Sequence, residues 1–137
     1  MERLLHSRYD DGLPALTVAI VRAFAGAVFV SVSIGKFADH AAEAVDFGRY
    51  GVPVAGFSVY AVGGVELLCG LLLIVGLMTR PAAAALALTM VGAIATAGRV
   101  EGGSFNLGVA PTLLAVMLVL LWTGSGRPAL DARIVGR

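Results

Sequence analysis

Glu66 is the residue in this chain that most needs a chemical explanation. It is followed by Leu67-Leu68-Cys69-Gly70-Leu71-Leu72-Leu73-Ile74-Val75-Gly76-Leu77-Met78, apolar for about three turns of helix, and the run closes at Arg80. Such a run reads as the second half of a membrane span, which sets the carboxylate in hydrocarbon. An ionised carboxylate there costs roughly 2.5–3.5 kcal/mol on insertion scales, so something nearby must compensate for it. Arg22 is the counterpart: each of the two is the formal charge well inside its own span. Two chemistries follow. One is a structural ion pair between Arg22 and Glu66 that fixes helix register, with further hydrogen bonds from Ser33 or Thr89. The other is a polar pocket for the headgroup of a small ligand, or a proton path. The candidate ligand set is then Arg22, Phe29, Lys36, Tyr60 and Glu66, with the two aromatics lining a ring site and Lys36 at the pocket mouth. The simpler role for Lys36 is snorkelling to headgroups. No catalytic residue is assigned.

Other chemistries find no support. A membrane haem needs axial ligands such as His or Met, and the two histidines, His6 and His40, lie outside the apolar runs. No Cys/His cluster offers a metal site, so none is expected. The single Cys69 cannot form an intrachain disulfide, and as a small buried residue it needs no function. No glycine-rich loop follows a strand, and two histidines are few for a Ser-His-Asp set. A net charge of +1 gives no basic field for nucleic acid.

The elements that must position these residues are apolar helices. The 137 residues are 58% hydrophobic and 14% charged, against roughly 45–50% and 25% in soluble domains. Four runs are long enough to cross a bilayer: 13–37, 54–78, 81–97 and 107–123. Hence the expected fold is all-α, a four-helix antiparallel transmembrane bundle forming one domain over 1–137. In the first run Arg22, Gly26, Phe29, Ser33 and Lys36 fall on one helical stripe. In the second, Gly63, Glu66 and Gly70 share a face, and small residues there permit close helix packing. The third run is rich in alanine, and Thr89, Ala93 and Thr96 form a small, weakly polar stripe on it. Its small residues suit packing in the bundle or against a second copy, which makes a homo-oligomer an expectation. Trp122 suits an interfacial anchor at the end of the fourth.

Between the runs, 38–53 carries Asp39, His40, Glu43, Asp46 and Arg49 and suits a short amphipathic surface helix ending at Gly51-Val52-Pro53. The connection 98–106 contains Arg99 and Glu101, which could pair. Residues 1–12 carry both signs and read as a surface segment, not a cleaved signal peptide. Four spans put both ends on one side. Arg3, Arg8, Arg80, Arg127, Arg133 and Arg137 collect there, against Lys36, Arg49 and Arg99 opposite. The bias places both termini in the cytoplasm of a multi-pass cell-membrane protein.

These residues resemble the DoxX family of small four-helix membrane proteins over nearly the whole chain. The likeness rests on Arg22 with Gly26, on Gly35-Lys36-Phe37 and on Gly51-Val52-Pro53. It continues through Glu66-x-x-x-Gly70-Leu71-Leu72-Leu73, Gly76-Leu77-x-Thr79-Arg80, and Gly124-x-Gly126-Arg127-x-x-Leu130-Asp131. The resemblance implies a membrane subunit or partner of a thiol- or sulfur-linked redox system, working with a soluble redox enzyme and touching the quinone pool. Quinone is the cofactor it would bring. Two further classes stay open: a non-catalytic membrane anchor for a soluble partner, and a small-solute channel or carrier.

Overall fold

The computed structural model describes residues 12–135; the segment read above as 1–12 lies outside the described residues except for its last glycine. Helix α1 (Gly12–Ala38) is followed by the short α2 (His40–Arg49) and then α3 (Ala55–Val75). Helix α4 (Thr79–Ala95) continues into a single turn, α5 (Ala97–Val100). A π-helical turn (Phe105–Val109) opens α6 (Ala110–Thr123), and α7 (Leu130–Val135) closes the described chain. Pro111 near the start of α6 has no N–H to return to the preceding turn, which accounts for the wider winding there.

Four of these stretches are long and apolar enough to cross a membrane: Gly12–Ala38, Ala55–Val75, Thr79–Val100 and Asn106–Thr123. Among the described residues every regular element is helical, and the chain forms the all-α four-span bundle that the sequence predicts. Large apolar side chains such as Phe24, Phe57, Leu68, Leu88 and Leu118 point outward and are more than half exposed. In water such a surface would be a liability; in a bilayer it is the lipid-facing coat.

The tightest packing is between α1 and α3, and between α4 and α6, with α3 against α4 joining the two pairs. Glycine makes the first pairing possible. A Cβ placed on Gly26 would lie 2.6 Å from the Gly70 carbonyl oxygen, and one on Gly70 would lie 2.9 Å from that of Gly26. The two backbones therefore touch, as in small-residue crossings of membrane helices. Farther along, Gly76 faces Arg22 and Gly63 faces Lys36. These contacts set one antiparallel register over the whole length of α3.

Helix α3 ends in a Schellman turn: Leu77 N–H donates to Leu72 O (2.9 Å) and Gly76 N–H to Leu73 O (3.2 Å). Gly76 adopts φ +70°, the left-handed conformation this motif uses. The dry middle of the bundle is built from Phe29, Cys69, Leu73, Leu86, Met90, Leu113, Met117 and Leu120.

Replacing Gly26 or Gly70 by valine should destabilise the bundle by about 1–3 kcal/mol or more, because each meets backbone that cannot move aside. Gly35→Ala and Gly64→Ala meet nothing within 4 Å and should be neutral. Thermal unfolding in mild detergent checks both halves; equal behaviour of the two sets would refute the crossing.

Candidate functional site

The five residues of the α1 stripe, Arg22, Gly26, Phe29, Ser33 and Lys36, are all buried, as are Gly63, Glu66 and Gly70 on α3. The two faces meet, but the charges pair differently from the sequence-based expectation. Glu66 takes Lys36: Nζ lies 2.9 Å from Oε2, with the side chains 11% and 3% exposed. The contact is a buried ion pair. The Arg22–Glu66 pair does not form, and register is the reason. From Gly76, which faces Arg22, to Glu66 is about ten residues, or roughly 15 Å of helix. From Gly63, which faces Lys36, it is about three residues, or roughly 4.5 Å, which a lysine side chain spans. The hydroxyls expected to support the pair turn back into their own helices. Ser33 Oγ donates to Val30 O (2.8 Å) and Thr89 Oγ1 to Leu86 O (2.8 Å).

Lys36 and Glu66 stand in the wall of a cavity of about 620 Å³ at the α2 end of the bundle. Its apolar walls include Val62, Leu88 and Met90, and the α4 stripe of Thr89, Ala93 and Thr96 forms another side. Helix α2 roofs it with Glu43, Asp46 and Phe47, Tyr50 follows from just past its end, and Asn106 contributes from the second connection. Asp46 is held by Arg49 at 3.3 Å. Tyr50 ties the two connections together. Burial, a hydrogen bond to Glu101, and the carboxylates of Asp46 and Glu43 push its phenol well above the ordinary value. Three carboxylates and one ammonium line the space, which disfavours an anionic guest and suits a neutral one that accepts a hydrogen bond from Lys36.

Phe29 and Tyr60 line neither of the two described cavities. Phe29 is 1% exposed in the apolar core beside Cys69 and Leu73. Tyr60 is half exposed and stacks on His40 at 3.8 Å, with Phe37 at 6.0 Å. The cavity residues that sequence reasoning missed are Glu43, Asp46, Tyr50 and Asn106. Glu43 and Asp46 on α2 and Tyr50 just after it recur at helical spacing, a signal present in the chain but indistinguishable there from a solvated face.

Arg22 serves the opposite end. It lies level with the α3–α4 turn, so residues 12–21 of α1 extend beyond that turn. The segment 124–131 folds onto this extension. Arg22 Nη1 donates to Ser125 O, Nη2 to Pro128 O (2.8 Å), and Arg127 N–H to Ala15 O (3.3 Å). Asp131 then caps α4 from a distance: Oδ1 accepts from Met78 N–H (2.7 Å) and Oδ2 from Thr79 N–H (3.0 Å), while its own N–H donates to Gly76 O (2.8 Å).

Glu66→Gln and Lys36→Met should each lower stability by about 3–5 kcal/mol, since each orphans a buried partner. The double variant should lose clearly less than the sum. Arg22→Ala combined with Glu66→Gln should instead be additive. Thermal unfolding in detergent reads both cycles, and coupling between Arg22 and Glu66 would contradict the register.

Comparison with known proteins bears on the same residues. The family model described as DoxX matches residues 17–99, which hold both Lys36 and Glu66. The chain is 39% identical to the uncharacterized membrane protein Rv3486 of Mycobacterium tuberculosis over 151 aligned residues, covering 98% of this chain and 88% of that one. It is 32% identical over 112 residues to a Bacillus subtilis protein named "Putative oxidoreductase CatD", covering 82% of each. No solved structure matches at comparable stringency. With four spans, a match over more than half its length and relatives aligned nearly end to end, the chain belongs to the DoxX family of membrane proteins.

Proposed function

We propose that the protein is the membrane subunit of a thiol- or sulfur-linked redox system, with a quinone in the cavity at the α2 end and a soluble enzyme as its redox partner. One observation carries this reading: a buried ammonium, held by Glu66, faces a cavity whose walls combine apolar side chains, among them Phe47, Val52, Val62 and Met90, with the polar groups of Tyr50, Thr89, Thr96 and Asn106. A quinone is a flat, neutral ring bearing carbonyl acceptors. Its ring suits the apolar walls, and one carbonyl oxygen can accept from Lys36 Nζ. Asn106 offers a second donor, its side-chain amide, in the lining. The carboxylates of Glu43 and Asp46 at the roof disfavour an anionic sulfur substrate in the same place. Similarity to a protein whose name carries an oxidoreductase assignment supports the redox class.

The lone thiol, Cys69, is packed in the core. Thiol chemistry therefore belongs to the soluble partner, and the membrane chain contributes the lipid-soluble carrier's site. The basic bias orients both termini to the cytoplasm, which turns the cavity to the outer face of the cell membrane.

Organic extraction of protein purified in mild detergent should release quinone at about one molecule per chain. Lys36→Met should release roughly a tenth as much, as expected for loss of one charge-assisted hydrogen bond. Quinone-free protein that also shows no thermal shift with added quinone would reject this site and leave a non-catalytic anchor as the reading. Topology is tested separately. Reporter fusions after Arg137 should report cytoplasm, and insertions in 98–106 should report the outside; a reversed pattern would overturn the orientation.

A further inference from the structure

The cavity at the α2 end has one rim that belongs to the outer surface of the bundle. Leu88 and Gly92 both line it, and both are exposed, Leu88 by 73%. They stand one turn apart on α4. Their neighbours Thr89 and Ala93 line the same cavity and are half-buried. So α4 turns the boundary between its inner and outer faces toward the cavity. A Cβ on Gly92 would meet nothing within 4 Å, which leaves this rim open. Its backbone is also satisfied: the Gly92 carbonyl accepts from Thr96 N–H (3.0 Å) and Thr96 Oγ1 (2.8 Å).

Depth decides what lies outside the rim. The third span runs over Thr79–Val100, 22 residues, and Leu88 and Gly92 fall near its middle. A surface exposed at mid-span borders hydrocarbon and not water. Gly51 and Pro53, exposed lining residues of the first connection, mark the opposite rim, toward the membrane surface. The cavity therefore has a polar end beside α2 and an apolar side in the bilayer. Its volume, about 620 Å³, is that of a site for a whole drug-sized molecule, roughly 300–1,000 Å³, so a ring and the start of a chain fit together.

We propose that the guest of this cavity enters and leaves sideways through the bilayer, and carries a hydrocarbon chain that trails out over Gly92 beside Leu88 while its ring sits at Lys36. The proposal rests on the quinone reading of the site and adds the chain and its route. Lys36 selects the head by hydrogen bonding. The rim selects the tail, because a chain leaving there passes from apolar wall to lipid and buries no polar group on the way. A charged, water-soluble redox carrier has no such chain, and it would have to cross hydrocarbon to use this rim.

The test compares two neutral, fully substituted quinones: tetramethylbenzoquinone, and the trimethyl ring bearing a decyl chain. Equilibrium binding is measured on the full-length protein in phospholipid nanodiscs, where wild type should bind both. Gly92→Phe sets a ring across the rim. It should weaken the decyl compound about tenfold, what roughly two CH₂ groups barred from apolar contact are worth, and the tailless one by less than about twofold. Partition into the bilayer is common to wild type and variant and cancels in the ratio. Gly92→Ala is too short to cross the rim and should leave both compounds unchanged. Gly64→Phe should do the same, since Gly64 lines neither cavity and its Cβ would meet nothing within 4 Å. A measurement on wild type stands beside the variants: a diazirine midway along the decyl chain should label α4 between Leu88 and Gly92. Equal loss of both compounds in Gly92→Phe, loss of neither, or label confined to helices other than α4 would overturn the lateral route and leave the quinone site standing. Wild type that binds neither compound would overturn the quinone reading and the route with it.

Discussion

The contact between the Gly26 and Gly70 backbones is the constraint on which the rest depends. Without a Cβ on either side, α1 and α3 approach until carbonyl oxygens stand where side chains would be. At that distance the helices cannot slide without a steric collision. Every other pairing along the two helices is then determined. Glu66 is brought near Lys36, and Arg22 is brought to the end of α3. A shift by one turn would leave both cations and the carboxylate without their partners. The glycine crossing and the buried charges therefore specify the same register by independent means, repulsion in one case and attraction in the other.

The chain deals with its buried charges at the two ends and leaves the middle apolar. Lys36 and Glu66 neutralise each other beside one cavity; Arg22 is satisfied by carbonyls of an irregular segment at the other end. Between them lie Phe29, Leu73, Met90 and Met117, all within 3% of full burial. The core cluster of the described residues between them holds no Asp, Glu, Lys, Arg or His; its one titratable group is the Cys69 thiol. In hydrocarbon this arrangement also limits the energetic cost, since charge burial is most expensive at mid-depth.

Much of the architecture was legible in the chain. Apolar run length gave the four spans, and the 3.6-residue period put Arg22, Gly26, Phe29, Ser33 and Lys36 on one buried face. The same period picked out Gly63, Glu66 and Gly70. What periodicity cannot supply is the relative height of two helices. Arg22 is the natural partner of Glu66 on the sequence because each is the charge well inside its own apolar run, and nothing in the sequence says that α1 overshoots the α3–α4 turn. That overshoot is visible only once 124–131 is seen to pack on it. Tyr60 and Phe29 illustrate the complementary limit. Each occupies a plausible helical position, yet one stacks on His40 outside the bundle and the other fills the core. The roof over the cavity was hidden for a different reason: Glu43, Asp46 and Tyr50 look like any solvated face until α2 is folded down.

The carboxylate of Asp131 has a consequence for how the chain is made. It supplies the acceptors for the first turn of α4, and it lies 52 positions after Thr79. A ribosome adds α4, the second connection and α6 before this acceptor exists. Throughout that interval the opening N–H groups of the third span have only water or lipid headgroups to turn to. The bundle can therefore insert its helices in order, but it cannot seal the junction between the second and third until synthesis has passed position 131. Closure waits for the segment around Asp131 to reach the assembly and latch it at one edge.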